Sequence, residues 1–306
     1  MKKYLPILAL ITASLIWGAA SPVFKWSIQN IPIFPLVFVR FFVASIFLIP
    51  FLKSTKIEKK DLFQFILLGL SGITINVAFF FLGISLTSAI NGGVMAVSAP
   101  IFTILASRLF LKEKQSLNLI LGSLIGLLGV LLIIGQSIFV KGFSVDLLGN
   151  LYLILAVWGL VGHEILVRKL KNYDPILITY VMFLVGALTF EPLAFWQLWQ
   201  NPNFLLTIDI RGYTGLTYGI FLSSLIAYFL WNWGLTKFSA SRAGVFLYAD
   251  PLAAVLVAFF LLGEKITLLT IFGTLLIFVG IYVAERRIHY LHQPFFSKFA
   301  KRAETT

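Results

Sequence analysis

Residues 88–133 read SAINGGVMAVSAPIFTILASRLFLKEKQSLNLILGSLIGLLGVLLI, and residues 239–284 read SASRAGVFLYADPLAAVLVAFFLLGEKITLLTIFGTLLIFVGIYVA. The two stretches align at a constant offset of 151 without a gap, with 14 identities in 46 positions. The identities include Ser88/Ser239 with Ala89/Ala240, Pro100/Pro251, Glu113-Lys114/Glu264-Lys265, Gly122/Gly273 and Gly129/Gly280. An offset of half the chain means one module built twice. Internal repeats are the usual construction of secondary transporters, whose solute site lies where the halves meet.

Composition says what kind of module it is. Apolar residues make up 59% of the 306, charged residues 12%, and mean hydropathy is +0.97. A soluble domain of this size cannot hide so much apolar surface. A bilayer can, because about 20 apolar residues at 1.5 Å rise span its roughly 30 Å core. Ten such stretches are marked by the sequence: 4–26, 34–52, 62–85, 89–111, 117–139, 147–168, 175–196, 212–235, 242–262 and 267–285. The expected fold is an all-α integral membrane bundle of ten transmembrane helices, arranged as two inverted five-helix repeats. The first repeat covers 1–139, the second 140–285, and a basic tail 286–306.

The net charge of +12 invites a nucleic-acid partner, but the positions of the charges argue against one. Nineteen Lys and Arg residues fall in connectors and ends on one side of the ten spans, from Lys2 to Arg302. The other side holds Lys25, Lys141, Arg211 and Lys265, and Arg40 lies within span 2. Basic residues accumulate in cytoplasmic loops, so both termini are expected in the cytoplasm, with the chain in a cell's inner membrane. Five spans per half is an odd number, so the second half enters upside down. Such halves can exchange conformations, which suggests alternating access. Lys2-Lys3 before an apolar run resembles a signal peptide, yet the run is long, and Trp17-Gly18 recurs as Trp158-Gly159. Span 1 is therefore expected to be retained. The chain has no cysteine, which excludes disulfides, thiolate metal sites and cysteine catalysis.

Several of these features are similar to the drug/metabolite transporter superfamily, in particular its EamA-like members. The resemblance rests on Pro100 ahead of Leu111-Lys112-Glu113-Lys114 and Pro251 ahead of Leu262-Gly263-Glu264-Lys265. Each is followed by glycines seven apart, and Trp17-Gly18 with Lys25 and Arg40 adds to it. The resemblance implies a ten-helix inner-membrane carrier of small organic solutes, often amino acids, frequently moved outward. Lys112 stands where the family usually has glycine. Gly162-His163-Glu164 is more polar than the family pattern.

Individual residues suggest chemistry. Asp250 falls near the middle of span 9, about 12 Å from its start at 1.5 Å per residue, on the face of Ala243, Ala254 and Val257. A carboxylate there is costly unless paired, hydrated or protonated, so Asp250 is the candidate for proton coupling. The alternative is a buried neutral acid that fixes packing. Ser14, Trp17, Ser21 and Lys25 share one face of span 1 and read as a cavity wall, with Lys25 snorkelling at its outer end. Trp158 in span 6 is assigned to the solute site with them. Ser224, Tyr228, Trp231 and Asn232 of span 8, with Asn76 and Phe80 of span 3, would suit a compact amphipathic solute; the alternative is the ordinary enrichment of Trp and Tyr at membrane interfaces. Asn91 joins them, unless it only caps span 4. Glu164 is expected to pair with Arg168 one turn on. Arg40 is expected to satisfy carbonyls or a carboxylate unless the solute is anionic. The glycine rows fit close contact between the halves or between two protomers, leaving a homodimer open.

No HExxH, paired-carboxylate or P-loop pattern occurs, so neither an enzyme nor an ATP-driven pump is expected, and no cofactor or metal. The partners are a small solute and the lipid bilayer. A lipid flippase or membrane scaffold is the alternative. Arg40 and Lys25 would welcome an anion and Asp250 a cation; a zwitterion reconciles them.

Overall fold

The computed structural model describes residues 4–86, 99–141, 147–262 and 268–285, and all regular structure in them is helical. In chain order the helices are α1 Leu5–Ser27, α2 Ile33–Phe51, α3 Leu62–Leu86, α4 Ala99–Phe110 and α5 Leu117–Lys141. They continue with α6 Leu147–Lys169, α7 Pro175–Gln200, α8 Ile210–Lys237, α9 from Ala240 to Leu262, and α10 Leu268–Glu285. Seven are long and apolar enough to cross a bilayer, and α4, α5 and α10 contribute shorter apolar stretches. The ten helices fall on the ten apolar stretches. Asn91, Glu264-Lys265 and the tail lie outside the described residues.

Local chemistry sets the starts of two helices. Asp174 accepts a hydrogen bond from the amide of Ile176 at 3.0 Å, with Pro175 in the first turn. Asp209 likewise accepts from the amide of Arg211 at 2.8 Å. The Arg211 side chain, bonded to it as well, holds the Asp209 carboxyl below the usual carboxylate range.

Loop contacts separate the two ends of the bundle. At one end Asn30 donates to the carbonyl of Thr207 at 3.0 Å and Gln197 accepts from the amide of Phe34 at 3.0 Å. At the other, the Tyr173 hydroxyl donates to Asp61 at 2.7 Å. This second end also carries Glu113, Arg168 and the start of α9, and is the basic end.

Packing follows a two-fold pattern. Helix α1 lies against α8 and α9 of the other half, and α6 lies against α3 and α4; α2 meets α7, and α5 meets α10. Lipid is as apolar as leucine, so close approach at small residues holds membrane helices together. A Cβ added at Gly122 would sit 2.5 Å from the carbonyl of Gly280, and one at Gly129 would sit 2.6 Å from that of Gly273. The helices therefore run antiparallel. Under the offset of 151 the contact 122–280 becomes 273–129, so the seam maps onto itself. The glycine rows here join halves.

Two interruptions also match across the repeat. Helix α3 opens into a π-helical stretch at Leu70–Ile75, and α8 does so at Tyr218–Ile226. Residues 70–75 shifted by 151 fall at 221–226, inside the second. Such stretches free carbonyls from the α-helical ladder and are common at functional sites. The carbonyl of Ser223 accepts from Trp17 Nε1 at 3.1 Å, and the carbonyl of Gly72, its repeat equivalent, accepts from the Tyr228 hydroxyl at 3.4 Å.

Between α4 and α5, Lys112 adopts φ 52°, the left-handed region. The amides of Leu111 and Glu113 both return to the carbonyl of Ser107, at 3.0 and 3.2 Å. The turn needs this conformation, which costs a non-glycine residue roughly 1–2 kcal/mol. Lys112→Gly is expected to raise stability by up to about 1 kcal/mol, after the extra entropy of glycine. Thermal unfolding in detergent measures it; a lower midpoint would contradict the strain.

Candidate functional site

The π stretch of α8, the part of α3 just after its own π stretch, and α9 converge on one cavity of about 130 Å³. That is the size class that holds a single small ring. Trp17 and Phe24 of α1, Arg40 of α2, and Asn76 and Phe80 of α3 supply walls, with Ser223 and Tyr228 of α8 and Leu247 and Asp250 of α9. Helix α6 presents Leu153, Ala156, Val157 and Leu160, one helical face.

Aromatic packing fixes the floor. The Trp17 ring meets Tyr228 edge-on at 4.9 Å and tilts against Trp231 at 5.3 Å. Asn76 donates to the carbonyl of Ala156 at 2.8 Å, tying α3 to α6 beside the cavity.

Arg40 is buried, at 3% exposure. Its Nε donates to Ser224 Oγ at 2.7 Å and its Nη2 to Ser223 Oγ at 2.9 Å. Its guanidinium lies over the rings of Phe24 at 4.9 Å and Phe41 at 4.6 Å. Among the described residues no carboxylate reaches ion-pair distance of it. Hydroxyls and ring faces, rather than the expected carbonyls or carboxylate, hold this cation. The paired serines come from the π stretch of α8.

Asp250 sits where the 3-10 stretch Val245–Ala249 gives way to the α-helix Asp250–Leu262, just ahead of Pro251. Proline has no N–H and resets the helix there. A Cβ on Gly18 would lie 1.9 Å from the Asp250 carbonyl, so α1 and α9 touch backbone to backbone. Asp250 is half-buried as a residue, but its Oδ1 is buried with no hydrogen-bond partner, and it makes no ion pair among the described residues.

Other residues singled out from the sequence fall in different places. Ser14, Trp231 and Asn232 are fully buried behind the cavity wall. Asn232 bonds His163 at 2.7 Å and Thr179 at 3.0 Å. Ser21 is half-buried without lining the cavity. Lys25 donates to the carbonyl of Ile84 at 2.9 Å near the outer end of α3. Trp158 is a correction: it is 50% exposed and packs on Phe102 at 4.9 Å, off the cavity face. The Trp-Gly pairs match at an offset of 141, not 151, so the analogy with Trp17 carried the ring to the wrong face.

The pairing of Glu164 with Arg168 is also corrected. Arg168 instead approaches Glu113 at 3.8 Å and donates to the carbonyl of Thr236 at 3.2 Å. Glu113 accepts from the amide of Ala240 at 3.1 Å, the amide of Ser241 at 3.3 Å and the Ser241 hydroxyl at 2.8 Å. These bonds tie the α4–α5 turn to the start of α9 and to α6. They close the basic end, while the cavity runs from mid-bundle toward the opposite end. Ser224 shares the helical spacing of Tyr228 and Asn232, but Ser223, the ring stack around Arg40 and the Glu113 tie carry no signal readable along one helix.

Comparison with known proteins was made on this geometry. The EamA-like transporter family is matched over residues 4–135 and 147–285. An "Uncharacterized transporter" of Archaeoglobus fulgidus is 28% identical over 291 residues, covering 94% of this chain and 100% of that protein. The "Uncharacterized transporter YoaV" of Bacillus subtilis is 29% identical over 297 residues, 90% of this chain and 95% of its own. A "Probable amino-acid metabolite efflux pump" of Escherichia coli is 26% identical over 295 residues, 90% and 93%. A solved structure superposes with a TM-score of 0.77 at 18% identity, over 94% of this chain and 99% of its own, which shows a shared fold.

Proposed function

The chain belongs to the EamA-like transporter family, and from that membership we propose that it exports small zwitterionic metabolites, amino acids among them, by proton-coupled alternating access. It is a multi-pass membrane transporter and not an enzyme. One observation carries the finer reading. Arg40 and Asp250 line the same small cavity, and neither has an ion-pair partner among the described residues. A buried charge without a partner is costly, so a solute that brings a carboxylate to Arg40 and an ammonium to Asp250 satisfies both. Trp17, Phe24 and Tyr228 supply apolar contact, and Asn76 stands by for a further hydrogen bond.

The topology fits this role. The excess of Lys and Arg supports a cytoplasmic position for the basic end and both termini. The Glu113 tie then seals the cytoplasmic side while the cavity faces outward, one of the two states that alternating access requires. The two modules, 1–139 and 140–285, rock about the α5–α10 seam between those states. Asp250 takes up a proton from outside when the solute leaves and releases it inward. Export, rather than uptake, is favoured by the name of the Escherichia coli relative.

The test is mass-spectrometric profiling of spent medium from cells overproducing the protein, an Asp250→Asn variant or an empty vector, at matched membrane expression. Accumulation of amino acids or similar zwitterions with the wild type only is the expected result. Accumulation with both proteins removes Asp250 from the coupling. A solute class carrying no positive charge overturns the zwitterion reading.

A further inference from the structure

The His163-Glu164 pair of α6 has no part in the cavity, yet both side chains are fully buried. His163 is held in one form. Asn232 donates to Thr179, which turns its carbonyl oxygen toward His163 Nε2, so that nitrogen carries a hydrogen and donates. Glu164 is different. One carboxyl oxygen accepts from the Thr103 hydroxyl of α4, and the other has no protein partner. No Lys, Arg or His comes within ion-pair distance of it among the described residues, because Arg168 has turned to Glu113. A carboxylate in that position would stand uncompensated in a low-dielectric interior; the neutral acid would not.

We propose that Glu164 is a second proton-carrying carboxyl, placed between Asp250 and the basic end of the bundle, through which the coupling proton passes. This rests on the proton-coupled reading given above. Depth supports it. Asp250 is ten residues from the start of α9 and Glu164 five from the end of α6, or about 15 and 7 Å from the basic end at 1.5 Å per residue. Glu164 thus stands about halfway.

The step is a proton transfer only. Glu164 first releases its proton to water at the basic end; its carboxylate then takes the proton that Asp250 gives up, which leaves Asp250 a carboxylate and Glu164 the acid again. The titratable or charged groups facing this path are Asp250 on α9, Glu113 on the α4–α5 turn, His163 and Arg168 on α6, and Tyr228 on α8, whose ring meets that of His163 at 5.9 Å. Helix α4 offers Thr103, α7 Thr179 and α8 Asn232, none of them titratable.

Infrared difference spectra of the protein in nanodiscs, stepped in pH without solute, read the carboxyls directly. Two protonated-carboxyl bands are expected, one lost in Asp250→Asn and the other in Glu164→Gln. Proteoliposomes loaded with a mixture of amino acids and a pH-sensitive dye supply the second reading. Glu164→Gln is expected to slow solute-linked proton flux about tenfold or more, and Glu164→Asp to recover part of it. A Glu164→Gln protein with both bands intact, or with wild-type flux, overturns the relay alone. Wild-type flux in Asp250→Asn overturns the coupling itself, and the relay with it.

Discussion

Replacing Arg40 with methionine is expected to abolish solute transport while leaving the protein as stable as before. Two sets of magnitudes oppose each other at this residue. Removing a buried ion in favour of an apolar side chain of similar size is often neutral or stabilising, by about 1–4 kcal/mol. Against it stand two serine hydroxyls that lose their donor, at about 1 kcal/mol each, and the ring contacts with Phe24 and Phe41, worth about 1–2 kcal/mol. The terms cancel to within their uncertainty. For the solute nothing cancels: truncating one partner of a buried charge pair costs about 2–5 kcal/mol, a factor of roughly 30 to several thousand. Arg40→Lys should fare little better, because an ammonium cannot hold both serines and a carboxylate in one plane. Thermal unfolding in detergent and spent-medium profiling of the same preparations separate the two effects. Wild-type export by the methionine variant would remove Arg40 from the site; a collapsed protein would make it a structural residue.

Gly18→Val should do the reverse and destroy the fold. The added Cβ would lie 1.9 Å from a backbone carbonyl of α9, and no rotamer can relieve a clash with main chain. Ordinary carbon–oxygen contact would require α1 and α9 to part by about 1.5 Å. Overpacking costs about 1–3 kcal/mol and occasionally more, against a total stability of about 5–15 kcal/mol. This clash lies at the upper end, because two helices must move together. Gly244→Ala is the control, since its Cβ would meet Thr103 at an ordinary 3.5 Å. Little monodisperse Gly18→Val protein after extraction, with a normal yield of Gly244→Ala, is the expected outcome. Equal yields would show that α1 and α9 do not touch as described.

What the chain declares in its sequence and what it withholds divide along a physical line. Hydropathy, the repeat and the loop charges are properties of segments, and they located ten helices and the doubled glycine rows. Trp17, Asn76, Tyr228 and Asp250 stood out as polar or amphipathic groups in apolar runs, and all four line the cavity. Errors arose where one helix was judged by itself. Glu164 and Arg168 have the spacing of an intrahelical pair, yet Glu113 from another turn claims the arginine. The sequence offers Arg40 only carbonyls or a carboxylate, because the π stretch that brings Ser223 and Ser224 to it leaves no mark in hydropathy. A shift of helical register is a tertiary event, and a linear pattern does not record it.

The seam between α5 and α10 has one more consequence. Its contact is its own image: the glycine that one helix offers at one end, the other offers at the opposite end. A half-length chain ending in such a helix would carry both sides of the joint. Two copies inserted in opposite senses could therefore meet there without any new surface having to arise, and fusing them into one chain alters their stoichiometry but not their fit.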